Sequence, residues 1–269
     1  MRDRKSLILF MLALLCGLTP CFAGINIRGS LTQEKAAKPG ETYRGIIVIQ
    51  NSGKAPSEAK IYQTDYLFFC DGRNFYSDPG KSPRSNAGWI TLKTRRMTLP
   101  PGQAAEIPFT AKIPEDASLS GTYWSMIMVE ELSRPEPNSD KEKEGDVQVG
   151  VKTVLRYGVQ VVTHIENSGL RKLKFSKTEL KRENNKVILQ LDIENTGERW
   201  LRPSLSAELF DNKGKLVGRF MGGNFRVYPA TSVRMKIELS GVPKGTYKAM
   251  VIADNRDDHV FGAQYTLTI

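Results

Sequence analysis

Hydrophobic and polar residues alternate along most of this chain with the two-residue period of a half-buried strand. The pattern is clear over 42–50, 61–69, 104–112 and 123–129, and again over 186–194, 204–210, 233–239 and 247–253. Successive side chains on a pleated strand face opposite sides, so each run gives one face to a core and the other to water. Turn-forming clusters separate the runs: Pro39-Gly40, Asn51-Ser52-Gly53, Pro100-Pro101-Gly102, Asn195-Thr196-Gly197, Asp211-Asn212-Lys213-Gly214 and Pro243-Lys244-Gly245. Beyond the first two dozen residues no window sustains a capped helical period. Many short strands at this spacing predict an all-β protein built of sandwiches or barrels.

A degenerate internal repeat sets the number of domains at two. The first copy runs Ile46-Ile47-Val48-Ile49-Gln50-Asn51-Ser52-Gly53, then Leu99-Pro100-Pro101-Gly102 and Gly121-Thr122-Tyr123. The second runs Leu189-Gln190-Leu191-Asp192-Ile193-Glu194-Asn195-Thr196-Gly197, then Val227-Tyr228-Pro229 and Gly245-Thr246-Tyr247. In an immunoglobulin-like sandwich such a tyrosine opens the F strand, with its ring packed inward and its hydroxyl bonded to a nearby loop. Tyr123 and Tyr247 are therefore read as structural. Asn51 to Tyr123 spans 72 positions and Asn195 to Tyr247 spans 52, which predicts an insertion around 70–88 in the first copy. The expected architecture is two tandem immunoglobulin-like β-sandwich domains over 24–167 and 168–269.

The first 23 residues follow a different logic. Arg2, Arg4 and Lys5 precede an almost wholly apolar stretch to Leu18, and Cys21-Phe22-Ala23 supplies small residues at the −3 and −1 positions of a cleavage site after Ala23. That order predicts a secretory signal peptide over 1–23, the alternative being an uncleaved anchor. Pro20 before Cys21 argues against lipid attachment. No later segment approaches the ~20 apolar residues of a spanning helix, so the mature chain is expected to be exported, soluble or peripheral, with no transmembrane segment. Cys16 and Cys21 leave with the signal. Cys70 then remains as a reactive or bridging thiol, or as a small apolar residue at a strand end.

Charge is unevenly placed. Residues 24–167 carry 18 Lys and Arg against 17 Asp and Glu, whereas 168–269 carry 18 against 11. A basic second half suits peptidoglycan or another anionic envelope polymer, lipid headgroups or an acidic protein, and equally an unpartnered solvated face. Export disfavours nucleic acid.

The segment with the strongest binding character lies at the end of the first domain. Residues 130–146 hold seven acids against three bases and lead into the longest alternating run, 147–162. Val147, Val149, Val151, Leu155, Tyr157, Val159 and Val161 share one face; Lys152 and Arg156 take the other. A long last strand after such a loop is placed to pair at a sheet edge with an extended segment of another exported or surface protein. Completing its own sandwich and running into the second domain is the plainer alternative.

Catalysis finds little support. His164 and His259 fall in different domains, without a second histidine beside either, and no phosphate loop, Gly-x-Ser-x-Gly or Cys–His pairing occurs. No catalytic residue, cofactor or metal site is expected. The 254–259 loop is rich in carboxylates but lacks the regular ligand spacing of a Ca²⁺ loop. Glu34 and Asp65 are left as carboxylates that could meet in space. Trp89, Trp124 and Trp200 are read as sandwich-core residues, a carbohydrate-stacking platform being the alternative.

The stretch 99–131, with Ile113-Pro114-Glu115-Asp116 and Ser120-Gly121-Thr122-Tyr123-Trp124, resembles the PapD-like domain of periplasmic pilus chaperones. It is also similar to the N-terminal domain of the WxL-interacting surface proteins. The resemblance covers about 24–167. The chaperone resemblance implies that the last strand of the first domain is lent to a subunit while two basic residues anchor the subunit's terminal carboxylate. Val147 to Tyr157 would be that strand, and Arg28, Lys152 and Arg156 are the placements for the anchor. The WxL resemblance implies peptidoglycan on the first domain and a surface protein on the second, although this chain lacks their C-terminal membrane helix. Three readings follow: an assembly chaperone, a structural envelope module, and a carbohydrate-active enzyme.

Overall fold

The computed structural model of the protein describes residues 24–132, 154–184 and 186–269. The expected signal peptide and most of the acidic loop lie outside these residues. The first domain contains β1 (Ile25–Arg28), β2 (Thr32–Ala37), β3 (Thr42–Asn51), β4 (Ser57–Phe68), β5 (Asn74–Ser77), β6 (Ile90–Leu92), β7 (Arg96–Leu99), β8 (Ala104–Lys112), β9 (Gly121–Leu132) and β10 (Arg156–Ile165). The second contains β11 (Leu173–Glu183), β12 (Lys186–Asn195), β13 (Ser204–Phe210), β14 (Leu216–Asn224), β15 (Ser232–Glu238), β16 (Thr246–Asp254) and β17 (Val260–Thr268).

In the first domain a sheet of order β1-β3-β8-β6 faces one of order β2-β10-β9-β4, with β5 and β7 paired to different parts of β4. The chain changes sheets between β1 and β2 at Gly29, whose φ of 96° is open to glycine at little cost. Ile47, Ile49, Ile61, Ile107, Ile127 and Val159 fill the space between the sheets. In the second domain β11-β12-β15 faces β14-β13-β16-β17 around Leu189, Leu191, Leu205, Leu209, Ile237 and Val251. The inward residues fall at the alternate positions that the sequence pattern marks, and β8 and β13 coincide with their predicted runs.

The repeat is a structural one, carried by two buried asparagines. Asn51 Nδ2 donates to the carbonyls of Ala55 (2.8 Å) and Leu99 (2.9 Å), while its Oδ1 accepts from the Gly53 N–H (2.8 Å). Asn195 Nδ2 donates to Arg199 (2.8 Å) and Val227 (3.1 Å), and its Oδ1 accepts from the Gly197 N–H (2.9 Å). Each Asn carbonyl then accepts from the turn that follows, from Gly102 N in one domain and Ala230 N in the other. One side chain thus satisfies three backbone groups and ties the turn between two strands to the Pro-containing turn. The tyrosines behave less alike. Tyr247 donates its hydroxyl to Pro243 O at 2.9 Å, as expected for an F-strand tyrosine, whereas Tyr123 packs its ring on Trp89 at 4.6 Å between centroids.

The predicted insertion is not a plain loop, because it includes β5, hairpinned on β4. Its remainder is folded around Asp65, a buried carboxylate that accepts from Gly80 N (3.1 Å), Ser82 N (2.6 Å) and Ser85 Oγ (2.5 Å). Asp65 therefore has a structural role and does not meet Glu34, which lies on β2 with other partners.

Ala230 holds φ at 58° where its counterpart Gly102 holds 72°. A left-handed alanine costs about 1–2 kcal/mol that glycine avoids in part. Ala230→Gly is expected to stabilise the second domain by about 0.5–1 kcal/mol, and Asn195→Ala to destabilise it by about 2–4 kcal/mol by orphaning buried backbone groups. Urea unfolding of the purified variants measures both, and an Ala230→Gly protein less stable than wild type would contradict the strain.

Candidate strand-capture edge and interdomain cleft

Strand β10 is half covered. On one side it is paired to β9 over its whole length, from Arg156↔Glu130 to Ile165↔Gly121. On the other, β2 runs parallel to it only from Gln160↔Thr32 to Ile165↔Ala37. The Gln160 N–H donates to Leu31 O (2.8 Å) on the β2 side, and Leu155 O accepts from Glu131 N (3.3 Å) on the β9 side. Backbone groups alternate in direction along a strand, so those of Arg156 and Gly158 point to the side that β2 leaves bare. Among the described residues, four residues of a central strand thus have no partner on one side, next to a segment whose upstream part lies beyond those residues.

Of the expected binding residues, Leu155 and Tyr157 lie at this edge. Val147, Val149, Val151 and Lys152 lie outside the described residues. Leu155 is 45% exposed, just before β10. Tyr157 is half-buried and packs, with Val159, against the first-domain core. Arg156 faces the other way and pairs with Glu130 at 3.0 Å. Arg28, at the end of β1, is exposed and sits opposite Val48. Arg28 and Arg156 thus lie on strands of different sheets.

The basic cluster that the structure does build lies at the other end of β10, against the second domain. Thr122 is the pivot. Its N–H donates to Glu198 O (2.8 Å), and its hydroxyl oxygen accepts from Trp200 N (2.9 Å). The hydroxyl proton is then free for His164 Nδ1 at 2.9 Å, which leaves the imidazole proton on Nε2, 3.6 Å from Glu34 Oε2. Arg202 also reaches Glu34 (3.3 Å), and Arg84 reaches Glu198 (3.1 Å), so two ion pairs cross the seam. Beneath them Trp124, Tyr228 and Trp200 stack with centroids 4.7 and 4.9 Å apart, and His164 closes the series at 5.7 Å from Trp200. Trp124 and Trp200 are buried, as the sequence suggests, but between the domains rather than inside either sandwich. Trp89 is half-buried against Tyr123. Cys70 lies just past β4, half-buried, and donates its N–H to Ser232 Oγ (3.0 Å) of the second domain.

A polar cavity of about 230 Å³ opens beside this stack, with Arg171, Arg199 and Arg202 on its walls together with Trp200, His164 and Asp257. Burial, then the charges of Arg199 and Arg202, hold the His164 pKa down at about 4, so it is neutral near pH 7. Burial and the neighbouring Arg171 also lower the pKa of Arg199, against the pull of Asp257. Hydrogen bonds from Ser120 and from the Leu170 N–H hold Glu198 below its usual range. The clustering of these arginines was not legible in sequence, because Arg171, Arg199 and Arg202 are brought to His164 only by the docking of the domains. His259 and the carboxylates of its loop form local turns: Asp257 accepts from His259 N, and Asp254 from Arg256 N. Among the described residues no group of three or more His, Cys, Asp or Glu is placed to hold a metal ion, and no helix is long and apolar enough to cross a membrane.

No protein-family model matches the chain, and no curated protein matches it in sequence. Among solved structures it is similar to fimbrial chaperones. A protein from the chaperone–tip adhesin complex of CFA/I fimbriae matches 91% of this chain and 98% of its own, with 12% identity and a TM-score of 0.48. The class 5 fimbriae chaperone CfaA matches 91% and 99% at 12% identity, TM-score 0.46. A structure of the CsuC–CsuE chaperone–tip adhesion subunit complex of Acinetobacter baumannii matches 90% and 98% at 13% identity, TM-score 0.44.

The depressed His164 pKa links the domain seam to pH. Below about 6.5 the unfolded chain takes up a proton that the folded chain refuses until about pH 4, so this stabilisation is complete above 6.5 and is lost as pH falls from 6.5 to 4. Across that window the wild type is expected to lose about 2–3 kcal/mol more than His164→Asn, which keeps an acceptor for Thr122 but does not titrate. Urea melts at pH 7, 5.5 and 4.5 test this; parallel losses in the two proteins would remove His164 from the account.

Proposed function

We propose that this is an exported, non-catalytic assembly chaperone that captures an extended segment of a surface or pilus-like protein by strand addition to β10. The carrying observation is the half-covered strand: β2 pairs only with Gln160–Ile165, and Arg156–Val159 has no paired strand on that side among the described residues. An added strand would satisfy the backbone of Arg156 and Gly158, which have no strand on that side among the described residues, and its alternate side chains would lie near Tyr157 and Val159 over the first-domain core. Leu155 continues the same face beyond the strand, and Val147, Val149 and Val151 continue its pattern in sequence. Arg28, Lys152 and Arg156 remain the residues offered for a partner's terminal carboxylate, Arg156 being the one that sits on the edge itself. The PapD-like pattern of 99–131 supports the same reading, and the signal-like residues 1–23 support export.

A photo-crosslinking residue at Leu155, used on the native envelope fraction, is expected to label one secreted protein through an extended segment. Arg156→Pro removes an N–H that faces the bare side while leaving the β9 ladder intact, and the half-buried Glu130 that loses its arginine keeps the hydrogen bond from the Tyr62 hydroxyl at 3.0 Å. It is expected to reduce capture at least tenfold with a melting temperature within about 3 °C of wild type. Undiminished capture by a folded Arg156→Pro protein would refute strand addition at this edge.

A further inference from the structure

Two residues that line the cavity beside the aromatic stack, Trp200 and Arg171, each hold a donor without a hydrogen-bond partner among the described residues. These donors, Trp200 Nε1 and Arg171 Nε, are buried and make no hydrogen bond to any described residue. Trp200 is 5% exposed. The remaining nitrogens of Arg171 are spent on the Asn167 and Gly169 carbonyls and on Asn167 Oδ1, and its Nε stands 3.6 Å from Asp257 Oδ2. A buried N–H without an acceptor costs about 1–3 kcal/mol, so two at one cavity call for an acceptor to enter it. Arg199 is fixed by the Glu166 and Ser168 carbonyls through a single nitrogen, at 2.8 and 3.4 Å. Arg202 stands at the rim on Glu34. Three arginines therefore outweigh Asp257 inside the cavity, and the surplus stays positive when Glu34 is counted.

We propose that this cavity binds a small tetrahedral oxyanion of the phosphate or sulfate class as a bridge between the two domains. The donors do not form one fork. An indole N–H, an Nε edge and separate guanidinium groups come from different residues, and a tetrahedral anion offers four oxygens out of plane where a carboxylate offers two in plane. The volume suffices for such an ion with several waters, each taking about 30 Å³. His164, neutral near pH 7, adds no charge of its own, so the positive surplus comes from the arginines. The site is also separate from the proposed capture edge: His164 lies eight residues beyond Arg156 on β10, or about 26 Å along the strand. A ligand touching both domains binds the docked arrangement and not the separated one, so it stabilises the whole.

Thermal unfolding of the intact protein in potassium phosphate or sulfate, against chloride at matched ionic strength, reads this directly. A saturable rise in melting temperature of about 5 °C is expected with either oxyanion and none with chloride. Trp200→Phe keeps the stacked ring but removes Nε1–H, and it is expected to weaken phosphate about tenfold by calorimetric titration; Arg171→Gln is expected to do the same by removing the second orphan donor. Absence of a saturable rise in the wild type would overturn the proposal, and that measurement does not depend on any variant folding. So would an equal rise with acetate, which would assign the cavity to planar carboxylates. Full phosphate affinity retained in both variants would overturn it too. None of these outcomes bears on capture by β10, which is read by crosslinking.

Discussion

Everything built between the two sandwiches depends on one stacked set of rings. Domains joined by a short linker move relative to each other unless their contact is large or apolar. Here Trp124 of the first domain packs face to face on Tyr228 of the second, and Tyr228 on Trp200, in a buried cluster with Val162. Such pairs contribute about 0.5–1.5 kcal/mol each beyond the area they remove from water. The hydrogen bonds around Thr122 then fix rotation about the stack, because its N–H and its hydroxyl both engage the 198–200 segment. Removing the stack would leave the arginines of the cleft without a common position.

The same docking places the two halves of β10 in different surroundings. Its second half is buried under β2, carries His164 into the seam and touches the second domain through Gln160, which accepts from the Tyr228 hydroxyl. Among the described residues, its first half has no strand on one side. A strand held firmly by β9, β2 and the seam is a stiff template, and an edge that does not have to be ordered on binding costs less entropy to use.

Legibility in the sequence followed physical range. The period-2 runs are local, and they located the core-facing strands because burial of one face imposes the alternation. The Asn51 and Asn195 turns were visible for the same reason, each being a short signal with a local job. β11 escaped notice because it is heavily charged and its register shifts between Phe175 and Lys177, which breaks the period. β14 escaped because Gly218, Gly222 and Gly223 interrupt its pattern. The bare edge of β10 follows from where β2 stops, and the arginine-lined cavity from how the domains meet. Both are tertiary facts, and Trp200 carries no local mark that its indole nitrogen lacks a partner.

The glycines at the seam limit how the protein can be divided. A Cβ on Gly121 would fall 2.2 Å from the Glu198 carbonyl oxygen, and one on Gly169 would fall 2.4 Å from the Gly121 Cα. Backbone meets backbone there, with no side chain that could be trimmed or enlarged to retune the fit. The junction between the sandwiches is therefore poor ground for modular exchange. A foreign second domain would need the same backbone approach at 169 and 198, and either half severed from the other would present its share of the Trp124, Trp200 and Tyr228 rings to solvent as an adhesive patch.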